Sequence, residues 1–157
     1  PGDSIDILAG LDINEFGGKR TAQLILRDLR LTADAAAVAE ANAARYAALR
    51  AGAPAPGADI VPSREEFGAV YNFIRRQVRF GEDSFTVREM LMRDEHVGAV
   101  GYIKLRFIID VLYELNIVGV ESLGHEAYRF RVSYQPKRAD LDKSAILRRL
   151  RAQTRAE

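Results

Sequence analysis

The residues of this chain best suited to chemistry are cations set beside an aromatic ring. Lys19 and Arg20 follow Phe16 across a Gly17-Gly18 turn. Such a tip suits single-stranded nucleic acid, because charge meets phosphate and the ring stacks on a base. A solvated turn with Phe16 packed on a sheet fits the same residues. A second cationic set lies at the other end of the chain, where Lys143, Arg148, Arg149, Arg151 and Arg155 fall close together. On a helix Arg148, Arg151 and Arg155 share one face, and Ile146, Leu147 and Leu150 supply the apolar side. A cationic helix attracts nucleic acid through counterion release. A docked helix with a solvated outer face is the plainer reading of the same pattern, and an acidic partner surface is a further option.

Other familiar chemistries find no footing. The only histidines, His96 and His125, sit in no Asp/His cluster and have no partner at metal-ligand spacing. The glycine-rich spots, Gly17-Gly18 and 98–101, match no phosphate-binding loop, and the second reads as a flexible lead-in to a helix. Cysteine is absent, which removes a disulfide framework and any Cys-based zinc site and agrees with a reducing cytoplasm. The formal net charge of +1 gives no global pull toward nucleic acid. Its distribution is uneven: residues 137–157 hold seven Lys/Arg against three Asp/Glu, or +4, while the first thirty hold four against five, or −1. No apolar run approaches the ~18 residues that span a bilayer. The acidic, polar start lacks the regions of a signal peptide.

The elements that must position these residues form an α+β chain in three blocks. Residues 1–31 read as a β-hairpin, with arms at 3–13 and 21–29 and a turn at 14–19. Ile5 and Ile7 alternate on one arm and Leu24 and Leu26 on the other; Arg27 and Arg30 fall on the polar side of the second. An isolated hairpin is marginal in water. It is therefore expected to be the edge of a larger sheet, and the chain a piece of a larger protein. Its open edges also invite pairing with a second copy. Residues 32–62 comprise an Ala-rich helix with a thin stripe of Val38, Tyr46 and Leu49, then a Pro/Gly linker at 51–62 where a domain boundary is expected.

Residues 63–157 carry the pattern of a winged helix. Ser63 and Glu66 form a capping box that opens a helix bearing Phe67, Val70, Tyr71, Ile74 and Val78. Thr86 and Glu89 form a second one, opening a short helix. A third helix is expected over 97–116, with Ile103, Phe107, Ile108, Val111, Leu112 and Leu115 on one face. A hairpin follows, with arms at 117–122 and 127–134, where Tyr128, Phe130 and Val132 alternate with Arg129, Arg131 and Ser133. A basic helix at 143–153 closes the chain. The third helix would read a DNA groove in such a module. Here its polar stripe, Arg106, Asp110 and Glu114, pairs internally and ends acidic, leaving Lys104 and Arg106 as its only aids to phosphate binding.

The hairpin LDINEFGGKRTAQLILRDLR resembles a segment of the RecJ-type single-strand-specific DNA exonucleases. That family carries N-E-aromatic-x-G-x-R-x-x-Q-L-x-x-x-D near the end of an OB-fold domain. The pattern stands here as Asn14, Glu15, Phe16, Gly18, Arg20, Gln23, Leu24 and Asp28. The stretches PSREEFGAVYNFIRR and KRADLDKSAILRRL look like the C-terminal extension of some members. The resemblance implies a parent that degrades single-stranded DNA from its 5′ end with manganese or magnesium, in repair and recombination. The Asp- and His-rich catalytic motifs of the family, the DHH triplet among them, are missing from this chain. It is thus expected to be a non-catalytic C-terminal piece. It would dock on the parent's catalytic core or on repair proteins, and Phe16, Lys19, Arg20, Arg148, Arg151 and Arg155 are the candidates for holding single-stranded DNA. A free-standing winged-helix DNA-binding regulator and a purely structural interaction module are the alternatives.

Overall fold

The computed structural model describes residues 5–31, 33–132 and 140–155, excepting the side chains of Asp6, Phe16, Arg30, Leu31, Ala33 and Asp34. The chain is α+β and divides into two compact units, residues 1–43 and 44–157.

The first unit is built on two long antiparallel strands, β1 (Ile5–Phe16) and β2 (Lys19–Leu31). Only Gly17 and Gly18 separate them, both at positive φ, which is the backbone that a two-residue hairpin turn needs. The turn is tighter than the expected 14–19, and the strands run correspondingly further. Their register makes the hairpin amphipathic. Ile7 stands opposite Leu29, Ala9 opposite Leu26, Leu11 opposite Leu24 and Ile13 opposite Ala22, so one face is apolar. Asp12 lies opposite Gln23 on the other face, and their side chains are hydrogen bonded at 3.4 Å. Leu26 and Leu29 are three apart and would point to opposite faces of a regular strand. A bulge between the Leu8 and Ala9 pairs absorbs Arg27 and returns Leu29 to the apolar face. The guanidinium of Arg27 lies over Gly10.

Helix α1 (Ala33–Ala51) follows, and the division between the units falls inside it. The expected boundary at 51–62 is therefore displaced. Tyr46 and Leu49 are each only 4% exposed and join Ile60, Phe107 and Leu150 in a core cluster of the second unit. The Pro/Gly segment is held as well, because Ala55 and Gly57 donate to the carbonyls of Gln153 and Thr154.

In the second unit, α2 (Arg64–Arg79) is opened by the capping box of Ser63 and Glu66. The short strand β3 (Ser84–Thr86) leads into α3 (Val87–Arg93), whose capping box is Thr86 and Glu89. The helix expected over 97–116 is in fact two, α4 (Glu95–Val100) and α5 (Tyr102–Glu114). Gly101, at φ 77°, ends one and starts the other. The 98–101 segment is no flexible lead-in: Gly98 lies inside α4, where an added Cβ would stand 2.7 Å from the Leu91 carbonyl oxygen. Strands β4 (Val118–Gly124) and β5 (Ala127–Val132) join through His125 and Glu126, both at positive φ. Residues 133 and 134 of the expected second arm lie outside the described residues. The sheet order is β3-β5-β4, all antiparallel, which with α2, α3 and α5 gives the winged-helix arrangement. A 3-10 turn at Leu141–Lys143 precedes α6 (Ala145–Arg155).

Two apolar clusters sit on α5. One gathers Phe73, Phe85, Phe130 and Ile108 with their neighbours from α2, α3, α4 and the sheet. The other packs Phe107 against Tyr46, Leu49, Ile60 and Leu150.

Candidate functional site

In a winged-helix DNA reader the third helix presents a polar face to a groove. Helix α5 has only a narrow one, without a free cation on it. Leu105, Phe107, Ile108, Ile109, Val111 and Leu112 are buried and take up rather more than half of its circumference; on the remaining arc Arg106, Asp110 and Glu114 are half-buried and Tyr113 is 59% exposed. The two cations that could have served phosphate are withdrawn, each with its side chain 13% exposed. The Lys104 ammonium lies 2.9 Å from Asp59 and 3.0 Å from Glu66. Burial opposes its charge, but the two carboxylates outweigh burial and raise its pKa.

Arg106 occupies an aromatic cage. Its guanidinium carbon is 4.1 Å from the ring centroid of Tyr46, 5.6 Å from that of Tyr102 and 5.8 Å from that of Tyr128. It donates to the Tyr102 hydroxyl at 2.7 Å and pairs with Glu126 at 2.5 Å. The Tyr102 hydroxyl in turn donates to Glu126, and the Tyr46 hydroxyl donates to Asp110. Asp110 also faces Arg50 at 3.6 Å. Burial, then the bond to Glu126, pushes Tyr102 up to about 12; burial, then Asp110, raises Tyr46 well above the ordinary phenol value. Glu126 belongs to the tip of the wing, so this cluster draws the tip back onto α5. The Glu126 carbonyl also accepts from the Val87 N–H at the start of α3. Arg129 and Arg131, the outward cations of the wing, lie 3.5 Å and 3.4 Å from Glu121. His125 occupies the turn, and His96 donates its backbone N–H to Asp94.

The cage was not legible in sequence. Its members come from 46, from 102–110 and from 126–128, and only Tyr102, Arg106 and Asp110 stand at a helical spacing that couples them locally.

The C-terminal cations fare differently. Helix α6 buries Leu147, Leu150 and Gln153, and Arg148, Arg151 and Arg155 fall together on the opposite side. Arg151 pairs with Asp142 at 2.8 Å, and Arg148 donates to the Asp142 carbonyl at 3.3 Å. Arg149 and Arg155 are exposed. The helix is anchored at both ends. The Glu114 carboxylate accepts from the Ser144 hydroxyl and from the N–H groups of Ala145 and Ile146, at 2.9 Å and 3.4 Å for the latter two. Ser144 caps the helix by accepting from Leu147 at 3.0 Å. The Gln153 amide donates to the carbonyls of Leu49, in the last turn of α1, and Ala53, just beyond it, at 2.8 Å and 2.7 Å.

At the hairpin tip Lys19 is exposed, whereas Arg20 lies 3.6 Å from its cross-strand neighbour Glu15. Lys19 stands opposite Phe16 in the ladder, although the Phe16 side chain lies outside the described part. The six candidate positions thus divide between the two units: Phe16, Lys19 and Arg20 in one, Arg148, Arg151 and Arg155 in the other.

Among the described residues no group of three or more His, Asp or Glu side chains could hold a metal ion. No described helix is long and apolar enough to cross a membrane. The chain matches no protein-family model, no curated protein and no solved structure.

Proposed function

We propose that the chain is the non-catalytic C-terminal part of a RecJ-type 5′-to-3′ single-stranded-DNA exonuclease of repair and recombination, working in the cytoplasm. Its role is accessory. It docks on the catalytic core of the parent or on repair proteins, and helps to hold single-stranded DNA through Lys19, Arg20 and the outer face of α6. The parent's manganese or magnesium belongs to the core. One observation carries the accessory reading: the cations of α5 are withdrawn, Lys104 neutralised by Asp59 and Glu66 and Arg106 by Glu126. A third helix with its cations paired and a tethered wing favour docking over the duplex-reading regulator.

The test is titration of fluorescent single-stranded and duplex oligonucleotides across a salt series. Single-strand binding is expected to weaken with salt at a logarithmic slope of about −2, as for roughly three phosphate contacts. Lys19→Ala and Arg155→Ala should each lower that slope. The oligonucleotide should stay intact with manganese. Tighter, sequence-preferring duplex binding would refute the accessory reading. Absence of binding at low salt would remove the DNA-holding role and leave docking alone.

A further inference from the structure

The apolar face of the hairpin is a surface without a cover inside its own unit, and its extent argues for what covers it. Ile7, Leu11, Ile13, Leu24, Leu26 and Leu29 are 53–75% exposed. Together they offer roughly 700 Å2, more than the ~300–600 Å2 of the largest apolar patch on an ordinary monomer. No charged residue stands between Ile7 and Ile13 on this face or between Ala22 and Leu26 across from it. The bulge at Arg27 preserves this face where a regular strand would have turned Leu29 to the polar side. The face is long, about 40 Å for twelve residues of strand, and two strands wide.

We infer that this face is a homodimer interface, in which the hairpins of two copies pack apolar face to apolar face about a two-fold axis. The area decides for a second copy. Two such faces pressed together remove up to about 1,400 Å2, within the ~1,200–2,000 Å2 of specific protein interfaces. Length, width and polarity also match of necessity, because the two faces are identical. Leu11 and Leu24, paired across the ladder near mid-hairpin and each 75% exposed, lie at the centre of the interface. The inference does not rest on the exonuclease reading, in which the remainder of a larger sheet would cover the same face.

Sedimentation equilibrium of the whole chain should give twice the 17.5 kDa of one chain, or about 35 kDa, at micromolar concentration. Leu24→Lys should weaken association at least 100-fold. The chain has no cysteine, so single replacements report proximity directly. Leu11→Cys should form an intermolecular disulfide under mild oxidation, and Gln23→Cys, on the other face, should not. A monomer at 100 μM would overturn the inference and leave another protein segment as the cover. A dimer indifferent to Leu24→Lys, or one that cross-links equally through both cysteines, would overturn it too. The cysteine pair keeps the test decisive even where lysine unfolds the hairpin.

Discussion

Replacing Glu114 by alanine should loosen the C-terminal helix from the domain, and the size of the effect follows from three bonds. The Glu114 carboxylate receives the Ser144 hydroxyl and the N–H groups of Ala145 and Ile146. A lost N-terminal cap costs about 0.5–2 kcal/mol, and a lost anion at a helix N-terminus costs about 0.3–1 kcal/mol. The Ser144 hydroxyl adds to this because the residue is 0% exposed and water cannot readily replace the carboxylate; an unsatisfied buried group costs about 1–3 kcal/mol. Ala145 is exposed, so water recovers part of the first contribution. The net expectation is about 2–3 kcal/mol, or roughly 10 °C in melting temperature for a domain of this size. Glu114→Gln keeps one acceptor and should cost about half as much. Ser144 and Glu114 touch, so a double-mutant cycle with Ser144→Ala should show a coupling of about 1 kcal/mol. Urea denaturation followed by far-ultraviolet circular dichroism measures all four proteins. Hydrogen exchange should show the loss first in α6 and in the N–H groups of Ala55 and Gly57, which bond to its last carbonyls. A Glu114→Ala protein within about 0.5 kcal/mol of the parent, or a coupling of zero, would refute the capping argument.

Arg106→Met should destabilise the second unit by about 3 kcal/mol in the same urea assay, because it leaves Glu126 half-buried without its cation and opens the tyrosine cage; lysine should rescue only part, since it lacks the flat guanidinium. Stability should hold below pH 10 and fall as pH rises through about 12, because the folded pKa of Tyr102 is raised above its unfolded value; Tyr102→Phe should flatten that alkaline loss, measured by circular dichroism against pH. Deleting Arg27 should leave the hairpin and its association intact in sedimentation, because Leu24, Leu26, Leu29 and Leu31 then alternate without a bulge.

The sequence announced the elements whose signals are local. Both capping boxes stand where Ser63 and Glu66, and Thr86 and Glu89, place them, since each motif is complete within four residues. The wing hairpin was legible from the alternation of Tyr128, Phe130 and Val132. Three features escaped because their cause is not local. Strand β3 has only three residues and exists through its ladder to β5. The break at Gly101 interrupts a run whose apolar spacing is continuous on both sides. The Pro/Gly segment looked like a linker, yet Ile60 and the bonds to Gln153 and Thr154 fold it against α6. The cationic positions of α6 could be read from spacing, but their surroundings could not. Glu114, which fixes the helix, lies thirty residues upstream of Ser144.

A winged-helix arrangement by itself decides nothing about DNA, because function resides in surfaces rather than in topology. Duplex readers of this architecture need an open third helix and a free wing. In this chain the cations of that helix and the tip of the wing are committed inward by residues remote in sequence: Asp59 and Glu66 take Lys104, the tyrosine cage takes Arg106, and Glu126 brings the wing tip to it. Tyr46, Leu49, Ile60 and Leu150 then seal the Phe107 side of α5. What stays open is of another kind, an apolar hairpin face in one unit and a row of arginines on α6 in the other. Those two surfaces differ in physics and can be separated by salt. Association through the hairpin should persist or strengthen as salt rises, because it rests on apolar area. Binding through α6 should decay, because it rests on counterion release. If one salt series weakened both together, the hairpin face and the arginine row could not be the separate interfaces that their chemistry requires.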